Sequence, residues 1–206
     1  KKEAFLQTFN DIRVSLAQNT FHASVCGEIF YSLSVLFLSY LNRHGMWEAV
    51  SSKVDYEKLT RFDRYASMEE AFRYFEQTAI HIFEIQNIEH QKRTVAAVQK
   101  IQKYIQDHPG GDLSLSSLAD LVYFNPKYLS RLFKQVTGMN LSDYILEVKL
   151  NTVKELLKQN NMKVHEIAEF VGYFSAPSFT RFFKRATGMT PQEYRDSFLQ
   201  SGGSNK

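Results

Sequence analysis

The sequence predicts an all-α protein, and three observations carry that prediction. Only 9 Gly and 4 Pro occur in 206 residues, so long stretches lack helix breakers. Apolar residues recur at three- and four-residue spacing along most of the chain. A block of about fifty residues also recurs, and each copy reads as helix, short turn, helix.

From the N-terminus, Phe5, Phe9, Ile12 and Leu16 repeat at helical spacing. A strongly apolar helix follows from about Val25 to Leu41. Its core, Ile29 to Leu41, is shorter than the roughly 20 residues that span a bilayer, and it reads as a buried helix with no signal peptide before it. Ser67-x-x-Glu70 is a capping box opening a long helical stretch through Phe72, Phe75, Ile80, Phe83 and Ile88. The aromatic stripe Phe72, Tyr74, Phe75, Phe83 reads as core or dimer interface in preference to a ligand pocket. Val95, Val98, Ile101, Tyr104 and Ile105 read as the first helix of a second domain, and Pro109-Gly110-Gly111 breaks the chain before the repeat. The expected division is a helical linker or dimerisation segment over 1–92, a second domain that holds the repeat over 93–200 and a disordered tail over 201–206.

The repeat is specific. LSSLADLV (115–122) lies over VHEIAEFV (164–171) at an offset of 49 residues. SRLFKQVTGM (130–139) lies over TRFFKRATGM (180–189) at an offset of 50. Arg131, Phe133, Lys134, Thr137, Gly138, Met139 and Tyr144 recur as Arg181, Phe183, Lys184, Thr187, Gly188, Met189 and Tyr194. The slip of one residue falls between the blocks, where a turn accepts an insertion. In the first unit Leu115, Leu118, Ala119 and Val122 share a face; Asn125-Pro126 caps a second helix that turns Tyr128, Leu129, Leu132 and Phe133 inward, and Gly138 stops it. In the second, Val164, Ile167, Ala168 and Val171 repeat the first face, Gly172 makes the turn, and Phe179, Phe182 and Phe183 repeat the second. Thr190-Pro-Gln-Glu193 is a capping box, with Asn140-Leu-Ser-Asp143 as a weaker version. Residues 141–159, with Ile145, Val148, Val153, Leu156 and Leu157 largely on one side, form a single connector helix. Such a connector can hold two helices about one DNA turn, ~34 Å, apart.

The chemistry of the second helices points to DNA. An α-helix fits the major groove, where its exposed face meets base edges and phosphates. The first exposes Lys127, Ser130, Arg131 and Lys134; the second exposes Ser178, Thr180, Arg181, Lys184 and Arg185. Arg131 can donate two hydrogen bonds to a guanine, Ser130 suits several bases, and the lysines suit phosphates. Asp120, Glu166 and Glu169 lie on the first helices, facing away from DNA. Charge agrees: residues 1–109 carry 13 basic and 13 acidic side chains, and residues 110–206 carry 12 and 9, so the whole excess of +3 lies in the second half.

Gly172-Tyr…Phe179-Thr-Arg-Phe-Phe-Lys184…Thr187-Gly-Met-Thr-Pro191…Tyr194-Arg195 is a long and specific signature. By it, residues 95–199 resemble the DNA-binding domain of AraC/XylS-type bacterial transcription regulators. The resemblance implies seven helices, with one recognition helix of each unit in successive major grooves. By position it assigns base reading to Lys127, Ser130, Arg131, Pro177, Thr180 and Arg181. Phe174, Ala176 and Pro177 depart from it, standing where the family has polar residues. The second unit would then lean on Arg181 and phosphates, or on apolar contact with thymine methyls. By its layout the first half resembles the segment that joins a sensor to this domain in AraC-type two-component response regulators. Lys1 in place of a starting Met reads as the start of a fragment.

These readings imply a cytoplasmic regulator that binds double-stranded DNA, homodimerises when activated and meets RNA polymerase, with no membrane partner, cofactor or metal. Enzyme motifs are missing: His165-Glu-Ile-Ala-Glu169 lacks the second histidine of a zinc-protease helix, and there is no P-loop or GxGxxG. Cys26 is the single cysteine, which excludes an internal disulfide and fits a reducing compartment. The rival reading is a helical protein-interaction adaptor without DNA binding.

Overall fold

The computed structural model describes residues 2–17, 22–159 and 161–202. Among them are eleven α-helices, one 3-10 turn and no strand. The chain divides into two compact units, Lys1–Lys92 and Arg93–Lys206.

The first unit contains α1 (Lys2–Ala17), α2 (Ala23–Arg43), the short helices α3 (Trp47–Val50) and α4 (Tyr56–Thr60), a 3-10 turn (Phe62–Arg64), and the start of α5 (Met68–Asp107). Phe30, Phe37 and Leu41 of α2 are buried with Phe72, Phe75 and Ile82 of α5 in one core. Two of the four stripe aromatics, Phe72 and Phe75, are therefore core. Phe83 instead lines an apolar cavity of about 550 Å³ with Phe5, Phe9, Ile12 and Leu36. Phe9 is buried, but Phe5 and Ile12 of the same stripe are exposed.

Three features of the sequence reading need correction. The apolar helix, read over about Val25 to Leu41 with a short apolar core, runs Ala23–Arg43, and Ser24–Arg43 is long and apolar enough by length and composition to cross a membrane. Only one face of α2 is buried in the core, and Tyr31, Val35 and Leu36 of the same helix lie outside that face, exposed. The helix read as starting near Val95 is the end of α5, which runs 40 residues without a break. No Gly or Pro interrupts Met68–Asp107, so nothing stops it, and Val95 lies on its exposed side. Its first turn is capped by Ser67 as read, Ser67 Oγ accepting from Glu70 N–H at 3.2 Å, but the Glu70 carboxylate accepts from Ala66 N–H at 2.9 Å, one residue before the cap.

The second unit holds the end of α5 and α6 (Leu115–Leu121), α7 (Pro126–Thr137), α8 (Leu141–Gln159), α9 (Val164–Phe170), α10 (Ala176–Thr187) and α11 (Pro191–Gly202). That makes seven helices among the described residues, and α8 is one unbroken helix, as predicted. It serves two cores. Leu141, Ile145 and Val148 pack with Ile101, Leu118, Leu129 and Phe133. Leu150, Val153 and Leu157 pack with Ile167, Val171, Phe179 and Phe183. Truncating a buried phenylalanine in such a core costs about 3–5 kcal/mol, so the first core depends on Phe133 and the second on Phe179 and Phe183. Leu115 is a further correction: it is exposed at the first turn of α6, and only Leu118 and Ala119 of that helix are buried. Of the expected tail, Ser201 and Gly202 close α11, where no breaker precedes the Gly-Gly pair; residues 203–206 lie outside the described residues.

Candidate nucleic-acid interface

Each recognition-type helix is fixed at both ends by its sequence. Asn125 caps α7, its side chain accepting from Lys127 N–H at 2.9 Å, with Pro126 at the first position. Ser175 caps α10, accepting from Ser178 N–H at 3.4 Å. Both helices end in glycines with left-handed backbone, Gly138 at φ 77° and Gly188 at φ 81°, a conformation glycine adopts without Cβ strain.

The repeated Thr-Gly-Met has a structural reason. Thr137 Oγ1 donates to Phe133 O at 2.7 Å and accepts from Met139 N–H at 3.2 Å. Thr187 Oγ1 does the same with Phe183 O at 2.8 Å and Met189 N–H at 3.3 Å. The hydroxyl thus satisfies groups at the helix end on both sides of the glycine. The repeated tyrosine closes each core: Tyr144 packs on Phe133 with ring centroids 5.4 Å apart, and Tyr194 on Phe183 at 5.3 Å. The Thr190 box forms reciprocally, Thr190 N–H donating to Glu193 at 2.7 Å and Glu193 N–H to Thr190 Oγ1 at 3.2 Å. Hydrogen bonding to its carboxylate from the Thr190 backbone N–H and from the Thr190 side chain holds the Glu193 carboxyl below its ordinary pKa.

With these faces pinned, the residues named from sequence fall on the outside. Lys127, Ser130, Arg131 and Lys134 are exposed along α7, and Pro177, Ser178, Arg181, Lys184 and Arg185 along α10; Thr180 is half-buried. Arg181 and Arg185 also border a groove between α10 and α8, lined by Leu146, Glu147 and Leu150.

Two lysines outside this set hold the turns. Lys100 of α5 donates to Leu121 O at 2.9 Å, and Lys149 of α8 donates to Val171 O at 2.8 Å. Each binds a carbonyl at the end of the first helix of its unit. Half-burial pushes the Lys149 pKa down; the carbonyl and the Tyr173 ring, 5.6 Å from Nζ, face its cation. The sequence did hold a signal, since Lys100 and Lys149 are 49 residues apart, the offset of the first repeated block. Tyr123 was also missed: it sits in the first turn at φ 56°, where the second unit has Gly172 at φ 81°.

Two units of this kind in tandem, sharing one connector helix, define a double helix-turn-helix domain. Residues 118–197 match the family model described as a helix-turn-helix domain, and this segment is a helix-turn-helix domain of the AraC type. AdaA of Bacillus subtilis, named as a bifunctional transcriptional activator and DNA repair enzyme, is 38% identical over 98 residues, which are 48% of this chain and 46% of AdaA. The uncharacterized transcriptional regulatory protein YesN of the same organism is 39% identical over 104 residues, 48% of this chain and 28% of YesN. The solved C-terminal domain of AraT, a response regulator from Geobacillus stearothermophilus, matches at 36% identity and TM-score 0.47, covering 49% of this chain and 84% of that one. The chain thus spans less than half the length of either curated relative.

Proposed function

We propose that this chain is the DNA-binding output part of a signal-responsive bacterial transcription regulator, with α7 and α10 entering successive major grooves. The observation that carries the reading is the matched pair of exposed faces. Arg131 and Lys134 on α7 recur as Arg181 and Lys184 on α10, each above a separately packed core. Arg131 and Arg181 read bases, Lys127, Ser130, Ser178 and Thr180 assist, Pro177 adds apolar contact, and Lys134, Lys184 and Arg185 hold phosphates.

The first unit acts as the segment between an upstream sensor and this domain, as in two-component response regulators. It also carries the contacts of an activated homodimer, which exposed Tyr31, Val35 and Leu36 of α2 support. In this reading the regulator is cytoplasmic, has no membrane partner, no cofactor and no catalysis of its own, and works with RNA polymerase. AdaA's match to this chain, which includes the helix-turn-helix residues, supports no transfer of its repair activity.

Enrichment of bound duplexes from a random pool, then a salt titration of the selected site, tests the reading. The expected result is one enriched sequence and an affinity that falls steeply with salt. Binding without salt dependence, or none, would favour an adaptor. For the dimer, Leu36→Glu should reduce self-association in sedimentation; unchanged association would place the contact elsewhere.

A further inference from the structure

We infer that Phe174 is a specificity-determining residue that packs, with Pro177 beside it, against thymine C5-methyl groups in the second half of the DNA site. The inference rests on α10 entering the major groove.

Backbone hydrogen bonds align the two turns residue by residue. Phe124 N–H donates to Ala119 O at 2.9 Å, and Tyr173 N–H donates to Ala168 O at 2.8 Å. After Phe124 the chain passes directly to the cap, Asn125; after Tyr173 one residue intervenes before the cap, Ser175. That residue is Phe174, so the slip in the repeat is the insertion of a phenylalanine. Its ring has no role in the fold. Relative exposure is 106%, while its neighbour Tyr173 packs on Phe179 and Phe182 with centroids 5.7 and 5.1 Å apart. A phenylalanine held wholly in water is unfavourable for the free protein.

Ala176 and Pro177 follow it, both exposed. The leading end of α10 is therefore an apolar edge, ahead of Arg181. The corresponding end of α7 is polar, with Lys127 exposed. In a helix-turn-helix the N-terminal residues of the second helix meet base edges. The apolar group that the major groove offers there is the thymine methyl. Phe174, Ala176 and Pro177 offer no side-chain donor or acceptor, so what they discriminate is that group, while the Ser175 hydroxyl is taken up by the cap.

The test uses the full chain and its enriched duplex. Each thymine in the second half is replaced singly by deoxyuridine, which removes the methyl and nothing else. Binding by the unaltered chain should weaken roughly fourfold at one or two positions, the value of one buried methyl-sized group. Phe174→Ser should bind the parent duplex several-fold more weakly and be indifferent to deoxyuridine at those positions. Phe174→Leu should restore part of the discrimination. Because the ring packs on nothing, melting temperature should be unchanged in both variants. Equal deoxyuridine losses in Phe174→Ser and the unaltered chain would overturn the inference, as would full affinity in Phe174→Ser, which would give the ring to a protein partner. An unaltered chain that binds no DNA would overturn the proposed function and this inference together. One that binds DNA but ignores the methyls would overturn this inference alone.

Discussion

Gly110 and Gly172 meet backbone to backbone, so that the loop before the first helix-turn-helix closes on the turn of the second. A Cβ on Gly172 would stand 3.0 Å from Gly110 O, and one on Gly110 would overlap Phe170 O and lie 3.2 Å from Gly172 N. The Gly172 side of this contact is held in place, because the Lys149 ammonium binds the carbonyl of the preceding Val171. Gly110→Ala should therefore cost about 1–3 kcal/mol by overpacking, read from urea or thermal unfolding. Gly27→Ala is the opposite control: it lies inside α2 with nothing near its added Cβ and should stabilise by about 0.5–1 kcal/mol. A neutral Gly110→Ala would show that the loop at Gly110 and the turn at Gly172 are not in fixed contact.

Tyr123 carries a strain that its side chain does not repay. It has φ 56° and a relative exposure of 95%. A left-handed backbone costs a non-glycine residue about 1–2 kcal/mol, and the ring is bare. Tyr123→Gly should raise stability by roughly 0.5–1 kcal/mol after the greater freedom of glycine in the unfolded chain is counted. A lowered melting temperature would mean that the ring has a contact in solution.

Arg131→Ala should cost about 1–3 kcal/mol in DNA affinity and relax preference mainly at one base position. Lys134→Ala and Lys184→Ala should weaken binding to all sequences and shallow the salt slope by about one unit each. The apolar edge of α10 predicts that hydrogen-bonded readout is concentrated in α7. Base-by-base profiles of Arg131→Ala and Arg181→Ala decide this: an equal or larger loss from Arg181→Ala would make α10 the main polar reader.

The Thr190–Glu193 box makes stability depend on pH. Hydrogen bonds from Thr190 lower the Glu193 pKa in the folded chain. Their contribution is present above the unfolded carboxyl value, about 4.3, and is lost as pH falls through the lower folded value. Glu193→Ala should melt below the parent chain at pH 7, and the gap should narrow below about pH 4. A gap independent of pH would indicate loss of helix propensity alone.

Much of the second unit was legible because a duplication writes each structural device twice. Thr137 and Thr187, Gly138 and Gly188, Tyr144 and Tyr194 mark both helix ends and both cores without any coordinates. Contacts between the repeats were not legible. The Gly110–Gly172 approach joins residues that the periodicity treats separately, and a glycine in a loop looks like a breaker whatever it touches. In the first unit, apolar spacing located α1 and α2 but not their depth. Ile12 and Phe9 share one stripe, yet only Phe9 is buried, because what lies opposite decides burial. The division near residue 93 was read from the sequence, but that one helix runs through it was not, since a helix continues wherever nothing interrupts it.

The division of α8 between two cores makes that helix a ruler with no blank section. Val148 belongs to the first core and Leu150 to the second, so a single residue separates the graduations. One residue inserted there would advance everything after it by 1.5 Å and turn it by about 100°, swinging α10 away from the groove that α7 implies. The second half of the chain can therefore diverge by substitution, but its connector cannot change length by one residue. Within this lineage, the spacing of the two half-sites on DNA should be as invariant as the length of α8, even where the bases they contain have changed.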